Sequence, residues 1–355
     1  MLKINYADPG VAKEILERLW KPFIERYIGY GFCGVRIDAI KHIDPTFLRQ
    51  ICSFIYDCCV ARHSTPPVLF GELLYGEHEG GPETFEPVIR GIGLSHVLNF
   101  LPDENFLADQ SQSLIGWVGH RIGLHRSYLV NGNPGFLGGT ISCAGNHDKG
   151  TLTARLSKCS GLPAELLSKK KEFLFFTAFT SDGGWYALSG DECGYNPDRK
   201  CLTFRGYKPP NWAALLATSE SGLLTPFIQQ INACLGALPP LVGEDPGFWV
   251  ERFWFEHAGH PLVAVVRHYP GHPHEVIMAD CSTSMAVGPF NQEALRAFFE
   301  AQVSAGGALA KAVIRGERPY SLSLIAHDGF ARIPYEATSA MATVAADDEA
   351  LTLGK

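Results

Sequence analysis

A chain of 355 residues that is 46% hydrophobic, with mean hydropathy near zero, can fold as one large domain plus a smaller one and is too apolar to be disordered. Its net charge of −7 argues against a nucleic-acid partner, because phosphate binding needs clustered Lys and Arg; the one dense basic run, Lys169-Lys170-Lys171, reads as a solvated helix face. The N-terminus lacks the apolar core of a signal peptide and no uncharged apolar run is long enough to cross a bilayer, so a soluble chain with no membrane partner is expected.

The elements can be taken in order. Residues 1–30 carry a helix pattern with Asp8 as N-cap, Pro9 at the first helical position and Val11, Ile15, Leu16 and Leu19 on one stripe. Apolar residues then run through Phe32 to Ile37 around small ones, as in a strand buried on both faces of a parallel sheet, and end in Arg36, Asp38, Lys41 and His42. Arg36 and Asp38 are two apart, so on a strand they point the same way and can meet; such a pairing orients a carboxylate and favours its anion. Residues 45–60 read as a helix capped by Asp44, with Phe47, Leu48, Ile51, Phe54 and Ile55 inward.

Strands follow at 68–73, 96–100, 141–145 and around Trp185. Helices are expected over 83–92, 111–123, 163–180 and 211–235, with turn chemistry at 131–135. This alternation predicts a parallel sheet wrapped by helices. From Gly247 the segments shorten, at 248–256, 261–268, 275–280 and 320–333. Turns rich in Gly and Pro separate them and one helix near 291–304 interrupts them, which reads as antiparallel sheet. The expected division is therefore 1–240, 241–337 and a loose tail at 338–355.

Ten cysteines, at 33, 52, 58, 59, 143, 159, 193, 201, 234 and 281, form no C-x-x-C pair and read as free thiols, which fits the cytoplasm. Histidines 257, 260, 268, 272 and 274 fall in Gly- and Pro-rich turns without a Cys or acid at ligand spacing, so they read as loop residues rather than metal ligands. Tyr75, Trp117 and Trp185 are candidate stacking platforms for a sugar ring, although aromatic residues at strand ends commonly serve packing.

Four strand ends carry acids or polar triplets in sequence order: Gly34-Val35-Arg36-Ile37-Asp38-Ala39-Ile40-Lys41-His42, Gly71-Glu72, Asn146-His147-Asp148 and Tyr186-Ala187-Leu188-Ser189-Gly190-Asp191-Glu192. In this order they resemble the α-amylase family of retaining glycoside hydrolases and transferases, over about residues 5–235. The resemblance implies a (β/α)8 barrel, here only its fourth to eighth strands, followed by a small all-β domain.

It further implies Asp38 as nucleophile, Glu72 as acid/base and Asp148 as the third carboxylate. Arg36, Lys41, His42, Asn146 and His147 would be substrate-binding, with Asp191 and Glu192 supporting from behind. In many members the carbonyl of the histidine at the position of His42 helps bind calcium. The segments carrying its other ligands have no counterpart here, so no metal is assigned. An α-1,4-linked glucan or maltooligosaccharide is the implied partner. A retaining mechanism needs an ionised and a protonated carboxyl about 5 Å apart, and Arg36 beside Asp38 and the apolar Val68-Leu69-Phe70 beside Glu72 suit those roles. The alternative is a non-catalytic glucan-binding or partner-dependent fragment. Five strands leave two open edges, and the missing segment would come from a partner or an oligomer.

Overall fold

The structure, a computed structural model, describes residues 5–6, 8–72, 92–94, 96–99, 140–143, 145, 151–156, 163–180, 184–195, 211–239, 249–268, 273–283, 290–314 and 319–335. Five strands, β1 (Gly34–Ile37), β2 (Val68–Glu72), β3 (His96–Asn99), β4 (Thr140–Cys143) and β5 (Trp185–Tyr186), form one parallel sheet. Its spatial order is β1-β2-β3-β4-β5. A sheet wound in both directions reverses its order at a switch point, so this strictly sequential order is that of a sheet wound one way.

Helix α1 (Pro9–Ile15) starts as expected, with Asp8 accepting from the N–H groups of Gly10 and Val11 and Pro9 at the first position. The expected stripe is corrected: Val11 and Leu19 are exposed, while Ala12, Leu16, Ile24 and Ile28 face inward. A π-helical turn at Leu16–Trp20 joins α1 to α2 (Lys21–Gly29), and its extra residue rotates the apolar face away from a 3.6-residue period. Helix α3 (Pro45–His63) is capped by Asp44, which accepts from Thr46 and Phe47. It buries Phe47, Leu48, Ile51 and Ile55 against α2 and β2.

Helices expected over 83–92 and 111–123, the turn at 131–135 and the tail at 338–355 lie outside the described residues, apart from Ile92, which is buried. After β4 come α4 (Leu152–Leu156) and α5 (Pro163–Thr180). The helix expected over 211–235 is two helices, α6 (Trp212–Leu216) and α7 (Ser219–Ala237). They break at Thr218, whose hydroxyl accepts from the Ser221 N–H and starts α7 afresh.

The second sheet comprises β6 (Trp249–His257), β7 (His260–His268), β8 (His274–Asp280), β9 (Tyr320–Ala326) and β10 (Gly329–Tyr335), in the order β10-β9-β8-β7-β6. Three of its pairings are antiparallel, but β8 and β9 are parallel. A parallel pair needs a crossover, and the helix read as an interruption is that crossover: α8 (Gln292–Ser304) followed by α9 (Ala308–Ile314). The segment read as one strand at 320–333 is a hairpin turning at His327-Asp328.

Helices α5 and α7 cover one face of this sheet through Phe175, Phe179, Leu224 and Ile231 against Val263, Val265 and Ile277. Helices α8 and α9 cover the other through Leu295, Phe299 and Val313. Covered on both faces, β7 and β8 are buried along almost their whole length. Among the described residues no helix is long and apolar enough to cross a membrane.

The basic run proves not to be a solvated face. Lys170 and Lys171 are buried at 2% and 7% exposure. Lys170 pairs with Glu220 of α7, and Lys171 donates to the Ser282 carbonyl at 2.9 Å. They lie buried because α5 is enclosed between α7 and the second sheet. The histidines also differ from the expectation of loop residues: His260, His268 and His274 are buried at strand ends, and β7 and β8 each start one residue earlier than expected, at His260 and His274. His272 lies outside the described residues.

Candidate active site

The carboxyl ends of β1 and β2 come together because the two strands pair in parallel register, Ile37 opposite Gly71. The next residue on each chain is an acid, Asp38 and Glu72. Gly71 lets the strand close on its neighbours, since a Cβ there would sit 2.7 Å from Ile40 and 2.9 Å from Leu94. After Asp38 the chain turns sharply at Ala39, a non-glycine residue with φ of 47°, into a 3-10 turn at Ile40–His42. Strain of this kind is held only where surrounding contacts enforce it. Here one such contact is the Ala39 N–H, which donates to Glu72 Oε2 at 3.2 Å.

Arg36 bridges the two acids. Its Nη1 donates to Asp38 Oδ1 at 2.7 Å and its Nη2 lies 3.0 Å from Glu72 Oε2. The acids differ in environment: the Asp38 side chain is 70% exposed and that of Glu72 only 8%. Burial pushes the Glu72 carboxyl above its ordinary value and its hydrogen bond with Asp38 adds to this, while the Ala39 N–H and the Arg36 guanidinium pull the other way. Burial and the Asp38 hydrogen bond together favour the protonated form of Glu72.

The interior behind this pair is occupied by Tyr186 and Cys143, hydrogen-bonded to one another and packed with Phe70. Burial pushes the Cys143 thiol up to about 12 and raises the Tyr186 hydroxyl as well, so both stay neutral near Arg36. The sequence reading passed over both. The signal available was that β4 and β5 end in a polar and an aromatic residue that share a register, Cys143 opposite Tyr186.

Of the other candidates, His42 is exposed in the 3-10 turn after Asp38, and Lys41 lies in the same turn. Asn146, His147, Asp148, Tyr75 and Trp117 lie outside the described residues. Trp185 packs against the α5–α7 core and donates from Nε1 to Asn232 at 3.2 Å, a packing role. Among the described residues no group of three or more His, Cys, Asp or Glu could hold a metal ion.

Asp191 is buried behind the site and accepts from the N–H of Leu152 at 2.9 Å and of Leu188 at 3.2 Å. It thereby ties the start of α4, shortly after residues 146–148, to the segment following β5. Burial raises its carboxyl from 3.8 to about 7. Because the folded chain then binds a proton that the unfolded chain releases, this group's stabilisation is present below 3.8 and is lost as pH rises through about 7. Asp191→Asn should abolish that part of the pH dependence, read as a smaller difference between denaturant midpoints at about pH 5 and about pH 8 than in the parent.

No family model and no curated protein matches the chain. Solved structures do. The cyclic α-maltosyl-(1→6)-maltose hydrolase of Arthrobacter globiformis, in its ligand-free form, matches at 19% identity and a TM-score of 0.46, covering 75% of this chain and 51% of that one. A cyclomaltodextrin glucanotransferase with a three-domain ABC distribution matches at 16% identity and a TM-score of 0.48, covering 76% and 48%. An α-amylase of Malbranchea cinnamomea matches at 15% identity and a TM-score of 0.45, covering 74% and 49%. The chain thus spans about half the length of each of these proteins. In the order of its motifs the chain resembles the α-amylase family.

Proposed function

We propose that the chain is the nucleophile-bearing part of a retaining enzyme that acts on α-1,4-linked glucans, as hydrolase or glycosyl transferase, through a covalent glycosyl-Asp38 intermediate. The observation that carries this reading is the Arg36 bridge between an exposed Asp38 and a buried Glu72 on adjacent parallel strands. In the first step the Asp38 carboxylate attacks the anomeric carbon while Glu72 gives its proton to the departing glycosidic oxygen. In the second, Glu72 as carboxylate takes a proton from water or from a sugar hydroxyl, which displaces Asp38 with net retention. A bound sugar must part the two carboxyls to about 5 Å, and Asp38 is the one whose side chain faces solvent.

Asp148, Asn146 and His147 would hold the hydroxyls of the reacting sugar, with Lys41 and His42 on the leaving-group side. Residues 1–240 form the catalytic unit in this reading, 241–337 the second domain and 338–355 a tail. The eight free cysteines among the described residues suit the cytoplasm.

A second reading rests on the edge of the sheet. Beside β1, which has one strand neighbour among the described residues, Phe23, Tyr27, Tyr30 and Phe32 are all exposed and their rings touch in sequence through Tyr27. This apolar surface suits cover by further strand–helix units, in which case the chain needs that segment for turnover. Incubating the purified chain with maltoheptaose and following shorter and longer products tests the first reading. Products that vanish in Asp38→Asn support it; no products at high protein concentration overturn it for this chain alone.

A further inference from the structure

The second sheet ends in two unlike edges. Strand β10 carries Pro334, which has no N–H to offer a further strand, and its Arg332 is taken up by Glu275. Strand β6 is nine residues long, runs in unbroken register with β7 and contains no proline. Among the described residues β7 is its one strand neighbour. In the middle of β6 stands Trp254, 42% exposed. Two residues to either side, on the same face, lie Arg252 and Glu256, and neither has an ion-pair partner among the described residues. Burial pulls the half-buried Arg252 guanidinium below its ordinary value, and no carboxylate offsets this.

The free side of β6 follows from its neighbours. The Cys281 N–H donates to the Pro261 carbonyl at 2.9 Å, so odd-numbered residues of β7 turn their backbone groups to β8 and even-numbered ones turn theirs to β6. His260 lies opposite His257, so the odd-numbered residues of β6 meet them. The N–H and C=O groups of Arg252, Trp254 and Glu256 therefore point away from β7.

This edge complements itself. Paired antiparallel with a second β6 about a two-fold axis at Trp254, it sets each Arg252 opposite the Glu256 of the other copy, the two Trp254 rings side by side and each Phe253 opposite a Phe255. The outward backbone groups would exchange about six hydrogen bonds. Moving the axis to residue 253 or 255 sets Trp254 against a charge instead, and moving it to 252 or 256 sets a charge against its own copy. Only the pairing centred on Trp254 joins Arg252 to Glu256.

We propose that β6 is a self-pairing edge through which two copies of this chain join antiparallel about Trp254, making one continuous sheet. The surface stands on the second sheet and does not rest on the catalytic reading. Sedimentation equilibrium of the full chain measures it. The parent should move from 38.8 kDa toward twice that mass as its concentration rises to about 100 μM, since a single strand edge makes a small interface.

Arg252→Glu and Glu256→Arg each set like charges opposite one another at both ends of the pairing, and each should weaken dimerisation about tenfold or more. Mixed in equal amounts, the two variant chains again present opposite charges and should regain the parent's dimer. Trp254→Pro, which removes the central outward N–H and leaves the bonds to β7, should also remain monomeric. A parent that stays at the monomer mass overturns the proposal. So does a dimer that the folded variants keep, or one whose loss in the charge variants is not restored by mixing.

Discussion

Asp38→Asn is expected to lower turnover by about 10⁴-fold or more with every glycosyl donor, because in the proposed mechanism Asp38 is the group that forms the covalent bond. Glu72→Gln should behave differently. With maltooligosaccharides it should lose about 10²- to 10⁴-fold, the usual worth of a positioned acid. With a maltosyl fluoride, whose leaving group needs little protonation, the first step should survive and the glycosyl-enzyme should accumulate, since the base for the second step is gone. Two variants one hydrogen bond apart would thus give opposite patterns with an activated donor. That contrast follows from the structure's asymmetry: Glu72 is buried, which raises its carboxyl, and Asp38 is exposed and braced by Arg36. Steady-state rates with both donors, on variants matched by circular dichroism, measure it.

The largest stability effect is expected at Glu220. Its partner Lys170 is 2% exposed, whereas Glu220 itself remains a third exposed. Glu220→Gln strands an ammonium in the core between α5 and α7 and should cost about 3–5 kcal/mol. Lys170→Met removes the buried charge, and the partly hydrated Glu220 tolerates the loss. The same pair broken from the other side should therefore cost clearly less, about 1 kcal/mol or below. Denaturant unfolding of the two variants reads the asymmetry as unequal midpoint shifts at unchanged slope. The pair also explains a glycine: a Cβ on Gly194, where φ is +70°, would lie 2.1 Å from the Glu220 carboxyl.

Where local chemistry decides the outcome, the sequence was legible. Asp8 with Pro9 and Asp44 with Pro45 announce helices whose caps form as read, and the Arg36–Asp38 spacing places those two side chains in contact. Glu72 could be named from its motif, but its second link to Arg36 and its contact with Ala39 depend on the register of β1 on β2, which no local pattern encodes. The buried lysines misled for a similar reason. A basic run on a helix implies solvent only while nothing packs there, and the cover comes from α7 and from β8, which lie about 50 and 110 residues further along the chain. The parallel pairing of β8 with β9 was hidden because alternation reports burial, not direction.

The central claim is that Asp38 becomes covalently glycosylated. Incubation with a 2-deoxy-2-fluoro-maltosyl fluoride, whose good leaving group allows attack while the ring fluorine slows hydrolysis of the intermediate, followed by intact-protein and peptide mass spectrometry, tests it directly. A single sugar adduct on the peptide containing Asp38, absent in Asp38→Asn, is the result this account predicts. An adduct on another carboxylate, or none from a chain shown to be folded and free to bind maltooligosaccharide, would contradict it.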